Sequence, residues 1–228
     1  MLKKNYNVLI GIIVLLLYFI WPYLLNAILN ILHLEGVLSL TINLILNFVL
    51  LGIIIYIFRE SLKVDFKNFK KNISKNLKQG LIIFLCGFFI YGLVNSLICE
   101  IFPNIDNVNY DAMSQIFSET PILLFISTIF YYPVIEELVF KKTFADIIKN
   151  KWIFVIFTGI LNAVFEIFLI ASTSSMYLIL VVPISLFYMS FSYMYYKTKS
   201  VFTPIFFRMI YNIIPSIGNI IITYLLIK

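Results

Sequence analysis

The sequence has little charge, and that shortage is its clearest feature. Only 12% of its 228 residues are charged, against about 25% in a typical soluble domain. Hydrophobic residues make up 62%, and the mean hydropathy is +1.01. This balance excludes an ordinary soluble domain and predicts an integral membrane protein. The length suits one unit, so we expect residues 1–228 to form a single membrane domain.

The sequence is also poor in residues that cross-link a chain or bind metals. Its two cysteines, Cys86 and Cys99, lie in one predicted helix, roughly 20 Å apart and too far for a disulfide. The single histidine, His33, lies in a short connection after the first apolar segment. Because zinc sites depend on His and Cys, we expect no metal and no other cofactor.

Long apolar segments fill most of the chain. A spanning helix needs about 20 apolar residues, and the segments that reach this length are 6–32, 37–58, 79–102, 121–148, 152–172, 176–196 and 201–227. We therefore predict an all-α, polytopic membrane helical bundle of about seven transmembrane helices. Prolines inside spans should kink them, and these are Pro22, Pro133, Pro183 and Pro215.

Basic residues are concentrated at one end of the predicted bundle. Except for Lys228 and Arg208, they precede the first span or lie near the segments between spans two and three, four and five, and six and seven. Cytoplasmic loops are the Lys/Arg-rich ones, so we predict a cytoplasmic N-terminus in a plasma membrane. The Ile, Asn and Lys bias indicates a bacterial cell. Topology accounts for the net charge of +6, so nucleic acid is not an expected partner.

The basic segment 59–78 repeats apolar residues at helical spacing. These residues are Leu62, Phe66, Phe69, Ile73 and Leu77. The pattern predicts an amphipathic interfacial helix on the anionic inner leaflet, with membrane lipid as its partner.

Several predicted spans carry polar pairs four residues apart: Glu137 with Lys141, Asn162 with Glu166, Arg208 with Asn212, and Asn43 with Asn47. Residues four apart share a helix face. For Asn43 and Asn47 we expect hydrogen bonds between helices.

The other three pairs lie roughly 12–21 Å from the predicted cytoplasmic surface, where charges are costly and mark functional sites. With Glu136, they predict one polar chamber between spans four, five and seven. Lys141 is near enough to the surface to snorkel to it.

The stretch PVIEELVFKKTF resembles the first signature of the CPBP family, the CAAX-protease and bacteriocin-processing proteins, also called Abi. That signature reads Glu-Glu-x-x-x-Arg, usually with Phe before the Arg. Glu136, Glu137 and Phe140 match it, and Lys141 stands in place of the Arg. The resemblance covers about 115–215, and SYMYYKTKSVFTPIF is similar to the low-G+C bacterial branch.

The other two family signatures are recognisable by position. The second is Phe-x-x-x-His, and LNAVFEIF places Asn162 and Glu166 there. The third is His-x-x-x-Asn, and TPIFFRMIYN places Arg208 and Asn212 there. Both motifs are therefore degenerate, because Glu166 and Arg208 replace the two histidines.

The resemblance implies an intramembrane endopeptidase. In active members a glutamate of the pair and the second-signature His activate water, and the third-signature His and Asn stabilise the oxyanion; some accounts invoke a metal. A guanidinium stays charged and does not shuttle protons. We expect Glu166 and Arg208, opposite in charge, to form an ion pair that fills the former active site.

Two functions stay open. We favour a catalytically degenerate relative, a pseudoenzyme that binds a peptide or protein partner in the membrane as a scaffold, chaperone or bacteriocin-immunity factor, because a fold outlasts its chemistry. The alternative is an active intramembrane peptide hydrolase with Glu136 or Glu137 as general base. A small transporter is disfavoured because no internal repeat is visible. The residues at which either main function is expected are Glu136, Glu137, Lys141, Glu166, Arg208 and Asn212.

Overall fold

The computed structural model describes residues 2–103, 121–145, 147–171 and 175–226. Their helices, in chain order, are α1 (Leu2–Ile31), α2 (Gly36–Lys71), α3 (Ile73–Ile101), α4 (121–145), α5 (Lys151–Ala171), α6 (Val181–Thr198) and α7 (Phe202–Leu226). A 3-10 turn, Ser175–Leu180, leads directly into α6. Helices with no strand among the described residues confirm the predicted all-α class.

Most of these helices are long and apolar enough to cross a membrane. Six in the described part of the chain meet this criterion by length and composition, and α7 contains a shorter apolar stretch, Phe202–Ile214. Large apolar side chains such as Leu16, Ile82 and Phe168 are exposed on the outside of the bundle. In water such a surface would be unfavourable, so it is the lipid-facing surface. The chain is a polytopic, multi-pass membrane bundle, as predicted.

The segment α4 is not a uniform helix, and its first irregularity precedes a proline. A wide π-helical turn covers Ser127–Tyr131, and the N–H of Tyr132 donates to the carbonyl of Ser127, five residues earlier. Pro133 has no N–H to give. The carbonyl of Thr128 therefore has no backbone donor either four or five residues later.

A second wide turn in α4 carries the first signature. It covers Glu137–Lys142, where the N–H of Thr143 donates to the carbonyl of Leu138. Every residue of this turn is buried. Wide turns of this kind are rare and occur frequently at functional sites, so the glutamate–lysine sequence lies in an unusual local conformation.

The basic segment 59–78 is placed differently from the expectation of a separate interfacial helix. It consists of the end of α2 and the start of α3, with only Asn72 between them. The 36 residues of α2 extend roughly 54 Å, beyond the 30 Å of a hydrocarbon core. No glycine or proline lies between Gly52 and Gly80, so nothing ends the helix at the membrane surface. Phe66 and Phe69 pack against Phe202 at the start of α7, with ring centroids 5.5 and 6.2 Å apart.

The interior of the described chain contains three buried clusters, and two of them lie next to the site. One buried cluster joins α1, α2 and α4 through residues that include Val14, Ile54 and Phe140. A second joins α3, α6 and α7 through aromatic rings that include Phe84 and Phe191. The polar residues Glu137, Asn162 and Arg208 are chain neighbours of cluster members, namely Leu138, Ala163 and Phe207.

Candidate functional site

Arg208 contacts both glutamates of the first signature. Its Nη2 pairs with Oε2 of Glu136, and its Nη1 donates to Oε1 of Glu137 at 3.4 Å. Only 5% of Arg208 and none of Glu137 is exposed. Because a buried charge is costly unless it is paired, this double contact accounts for an arginine inside the bundle. It also joins α7 to α4.

Lys141 completes the charge pairing within α4. Its Nζ donates to Oε1 of Glu137 at 2.6 Å, and neither side chain is exposed. The expectation that Lys141 snorkels to the surface is therefore wrong. A carboxylate one turn away on the same helix face offers a closer partner than water does. The second oxygen of Glu137, Oε2, is buried and has no hydrogen-bond partner in the described chain.

Asn162 brings α5 into this cluster. The side chain is fully buried. With the amide oriented so that both atoms find complementary partners, Nδ2 donates to Glu136 at 3.2 Å and Oδ1 accepts from Nη1 of Arg208 at 3.3 Å. Asn162 therefore bridges both members of the Arg208–Glu136 ion pair.

Glu166 reaches the cluster only through Tyr188 of α6. Nη2 of Arg208 donates to the hydroxyl of Tyr188 at 2.6 Å, and that hydroxyl donates to Oε2 of Glu166. The Arg208 guanidinium also lies over the Tyr188 ring, 4.5 Å from its centroid. No direct Glu166–Arg208 ion pair exists among the described residues, which corrects the expected one. Asn162, one turn earlier on α5, takes the place beside the guanidinium, and Glu166 remains exposed.

Asn212 is engaged elsewhere. Its Nδ2 donates to the carbonyl of Thr128 at 2.7 Å. This is the carbonyl that the first wide turn of α4 and Pro133 leave without a backbone donor. Because buried carbonyls are almost always paired, Asn212 has a structural reason to be at this position.

A second buried ion pair lies nearer the basic end of the bundle. Nζ of Lys142 donates to Oδ1 of Asp65 at 2.8 Å, and Oδ2 of Asp65 accepts the N–H of Val201 at 3.1 Å. Both charged side chains are 7% exposed. Asp65 thus joins α2 to α4 and to the start of α7, where a carboxylate interacts favourably with the helix dipole.

Sequence reasoning missed Asp65, Lys142 and Tyr188 as members of buried polar clusters. Asp65 carried a usable signal, since it is the only acidic residue between Glu60 and Lys78. Tyr188 carried none, because tyrosine is frequent throughout this aromatic-rich chain.

The residues present do not fit a zinc site. No group of three or more His, Cys, Asp or Glu side chains in the described part of the chain is placed to hold a metal ion. Oε1 of Glu137 and Oε2 of Glu136 already accept from cations. Zinc sites rely on His and Cys ligands, which this cluster lacks.

Comparison with known proteins identifies a family that part of the chain resembles. Residues 118–214 match the family described as type II CAAX prenyl endopeptidase Rce1-like. This match confirms the resemblance to the CAAX-protease family, and the matched segment contains all the candidate positions from Glu136 to Asn212. No curated protein and no solved structure matches the chain.

Proposed function

We propose that this chain, a CPBP-family intramembrane protein by its Rce1-like segment, binds a peptide or protein partner in the membrane without hydrolysing it. The observation that carries the proposal is the contact of Arg208 with both signature glutamates. A general base needs a free carboxylate oxygen within reach of the water it activates. Here a guanidinium that stays charged stands at the position where the family has a histidine.

The remaining candidate residues support the same proposal. Glu166, at the second-signature histidine position, accepts from Tyr188 and does not contact the glutamate pair directly. Asn212 donates to the Thr128 carbonyl, so one of its two amide N–H groups is already engaged and is lost to an oxyanion. The cluster is thus suited to holding helices together around a fixed polar centre.

One observation favours the alternative, an active endopeptidase. Oε2 of Glu137 is buried and has no hydrogen-bond partner among the described residues. A water molecule hydrogen-bonded there would be positioned for activation by that carboxylate. The alternative therefore assigns the general base to Glu137 and makes Glu136 a partner of Arg208.

The proposal places the protein in a bacterial plasma membrane, with residues 1–228 as one membrane domain and a family core over about 115–215. The lysines at the ends of α2 and α3 support a cytoplasmic N-terminus. Lipid surrounds the bundle, and the partner is a membrane-delivered peptide or protein, as in scaffold or bacteriocin-immunity proteins. Labelling of a Lys70→Cys variant from the cytoplasmic side alone would support this orientation, and labelling from outside would overturn it.

A peptidase assay tests the functional proposal. Purified full-length protein in detergent is incubated with quenched fluorescent peptides, prenylated and leader-type, and binding is followed by equilibrium dialysis. We expect retention of peptide without cleavage. Cleavage that is lost in Glu137→Ala, and retained in the control Glu60→Ala on the exposed part of α2, would establish the alternative.

A double-histidine variant separates loss of chemistry from loss of fold. Glu166→His with Arg208→His restores both family residues and removes the guanidinium from the glutamates. Cleavage that appears only in this variant, and disappears when Glu136→Ala or Glu137→Ala is added, would support a protease fold inactivated at these two positions.

A further inference from the structure

A cavity of about 200 Å³ lies among α1, α2, α4 and α5, next to the polar cluster. We name it the tyrosine cavity after three of its lining residues, Tyr18, Tyr131 and Tyr132, with Trp21 and three asparagines beside them. Neither the signature residues nor the proposed pseudoenzyme role assigns a purpose to it.

One wall of the tyrosine cavity is fixed by hydrogen bonds. Oδ1 of Asn47 accepts from Nε1 of Trp21 at 3.0 Å and from the hydroxyl of Tyr131 at 3.3 Å. Nδ2 of Asn47 donates to Oδ1 of Asn43 at 2.7 Å. The two bonds that Asn47 accepts join α2 to α1 and α4, as predicted for that residue, whereas the bond of Asn43 stays within α2. Together they hold the wall in one arrangement without a ligand.

The same cavity contains hydrogen-bonding groups that nothing in the described chain satisfies. Tyr18 is only 6% exposed, yet its hydroxyl has no hydrogen-bond partner there. Nδ2 of Asn43 donates no hydrogen bond within the described chain, and neither does the hydroxyl of Tyr132, a residue that is 42% exposed. Polar groups of buried residues are normally hydrogen-bonded, so the Tyr18 hydroxyl is the group for which a bound molecule would supply the missing partner.

Pro22 adds an acceptor to these donors. It has no N–H to donate to the carbonyl of Tyr18, four residues earlier in α1, and both residues line the cavity. At the corresponding proline of α4, the side chain of Asn212 satisfies the freed carbonyl. No side-chain donor in the described residues does so for Tyr18.

The tyrosine cavity adjoins the candidate site. Tyr132 and Glu136 are four residues apart on α4 and share a face. A ligand in the cavity would therefore lie one helical turn from the Arg208–Glu136 pair.

We propose that the tyrosine cavity binds one amide unit of a membrane-embedded peptide, with the Tyr18 hydroxyl donating to its carbonyl. The freed Tyr18 carbonyl accepts its N–H. A peptide amide brings one donor and one acceptor, which matches the unpaired groups. The volume is below the roughly 300–1,000 Å³ of pockets for drug-sized ligands, so the cavity holds part of a chain. This inference rests on the proposed binding of a membrane peptide.

Trp21 provides a direct readout of occupancy, because its indole lies in the cavity wall. The chain has two tryptophans, so Trp152→Phe leaves Trp21 as the sole reporter. The probe is N-acetyl-leucyl-leucine amide, added to the full-length variant in detergent, with total binding measured in parallel by equilibrium dialysis. We expect a saturable change in Trp21 emission, and none with an alkane of similar size.

Two substitutions locate the binding. Tyr18→Phe should weaken the fluorescence-detected affinity about threefold to tenfold, the effect of one hydrogen bond. Tyr23→Phe, on an exposed part of the same helix, should leave it unchanged. If Tyr18→Phe lowers the unfolding temperature, Pro22→Ala is the second variant, because it gives the Tyr18 carbonyl a backbone donor and should also weaken the affinity.

The outcomes separate this inference from the proposed function. Dialysis binding without a Trp21 response, or equal affinities for Tyr18→Phe and the parent, would overturn the cavity assignment and leave peptide binding intact. Loss of the Trp21 response when phosphatidylcholine is added to the micelles would show that lipid occupies the cavity and would also overturn it. A Trp21 response in a protein that cleaves peptides would support the cavity and reject the pseudoenzyme.

Discussion

Arg208 and Glu136 form an ion pair that joins α7 to α4 across 72 residues of sequence. Both side chains are largely buried inside the bundle, with 6% of Arg208 and 12% of Glu136 exposed. The free energy of unfolding should therefore depend on this pair and on the polar side chains around it.

Replacing Arg208 with methionine should destabilise the protein strongly. The change leaves two carboxylates without this cation, and breaking a buried pair costs about 3–5 kcal/mol. The free energy of unfolding in detergent micelles measures it. Arg59→Met is the matched control, because Arg59 and Glu60 form an exposed pair worth at most about 1 kcal/mol. Equal losses in the two variants would contradict the assigned pairing.

Tyr188→Phe should cost about 1–3 kcal/mol, because it removes the hydroxyl that joins Glu166 to Arg208 while keeping the ring. Tyr193→Phe on the same helix keeps its ring contact with Trp152 and should be close to neutral.

A double-mutant cycle between Glu166→Gln and Arg208→Lys should show coupling in the parent and lose it in Tyr188→Phe. Coupling that persists without the hydroxyl would show that the two charges interact directly.

Asp65→Ala should destabilise by about 3–5 kcal/mol, since it strands the buried Lys142 ammonium and removes the acceptor of the Val201 N–H. Asp65→Asn keeps an acceptor and should lose less. Glu60→Ala, on the exposed face of α2, serves as the control. Chemical unfolding in micelles measures all three, and a loss for Asp65→Ala no larger than for Glu60→Ala would refute the pairing.

Asn212→Leu should cost about 1–3 kcal/mol, because it leaves the Thr128 carbonyl without a donor. Pro133→Ala restores an N–H in that turn of α4 and should partly rescue Asn212→Leu. The double variant should therefore be more stable than the sum of the two single effects indicates. Strict additivity of the two losses would show that Asn212 and Pro133 do not act on the same carbonyl.

The helices and the location of the polar cluster could be predicted from sequence, whereas several individual contacts could not. Apolar segments of about 20 residues need no tertiary information to be identified as helices. The spacing of Glu137 and Lys141 fixed them on one face, and the structure pairs them. What the spacing leaves undetermined is rotation about each helix axis.

Helix rotation explains why Glu166 and Arg208 do not meet. Asn162 and Glu166 share a face of α5, and depth alone does not decide which of them lies beside the guanidinium. The structure places Asn162 there and interposes Tyr188 from a helix that carried no candidate residue. The end of α2 was likewise undetermined, because the basic segment keeps helical spacing on both sides of the membrane boundary.

The uninterrupted length of α2 places two distant polar contacts on one continuous helix. Asn47 in the cavity wall and Asp65 in the Lys142 pair both lie on α2, roughly 27 Å apart along its axis. A slide of α2 along that axis breaks the bonds at both places together. A force or partner acting on the basic end of α2 would therefore act on the contacts of α2 with both α1 and α4.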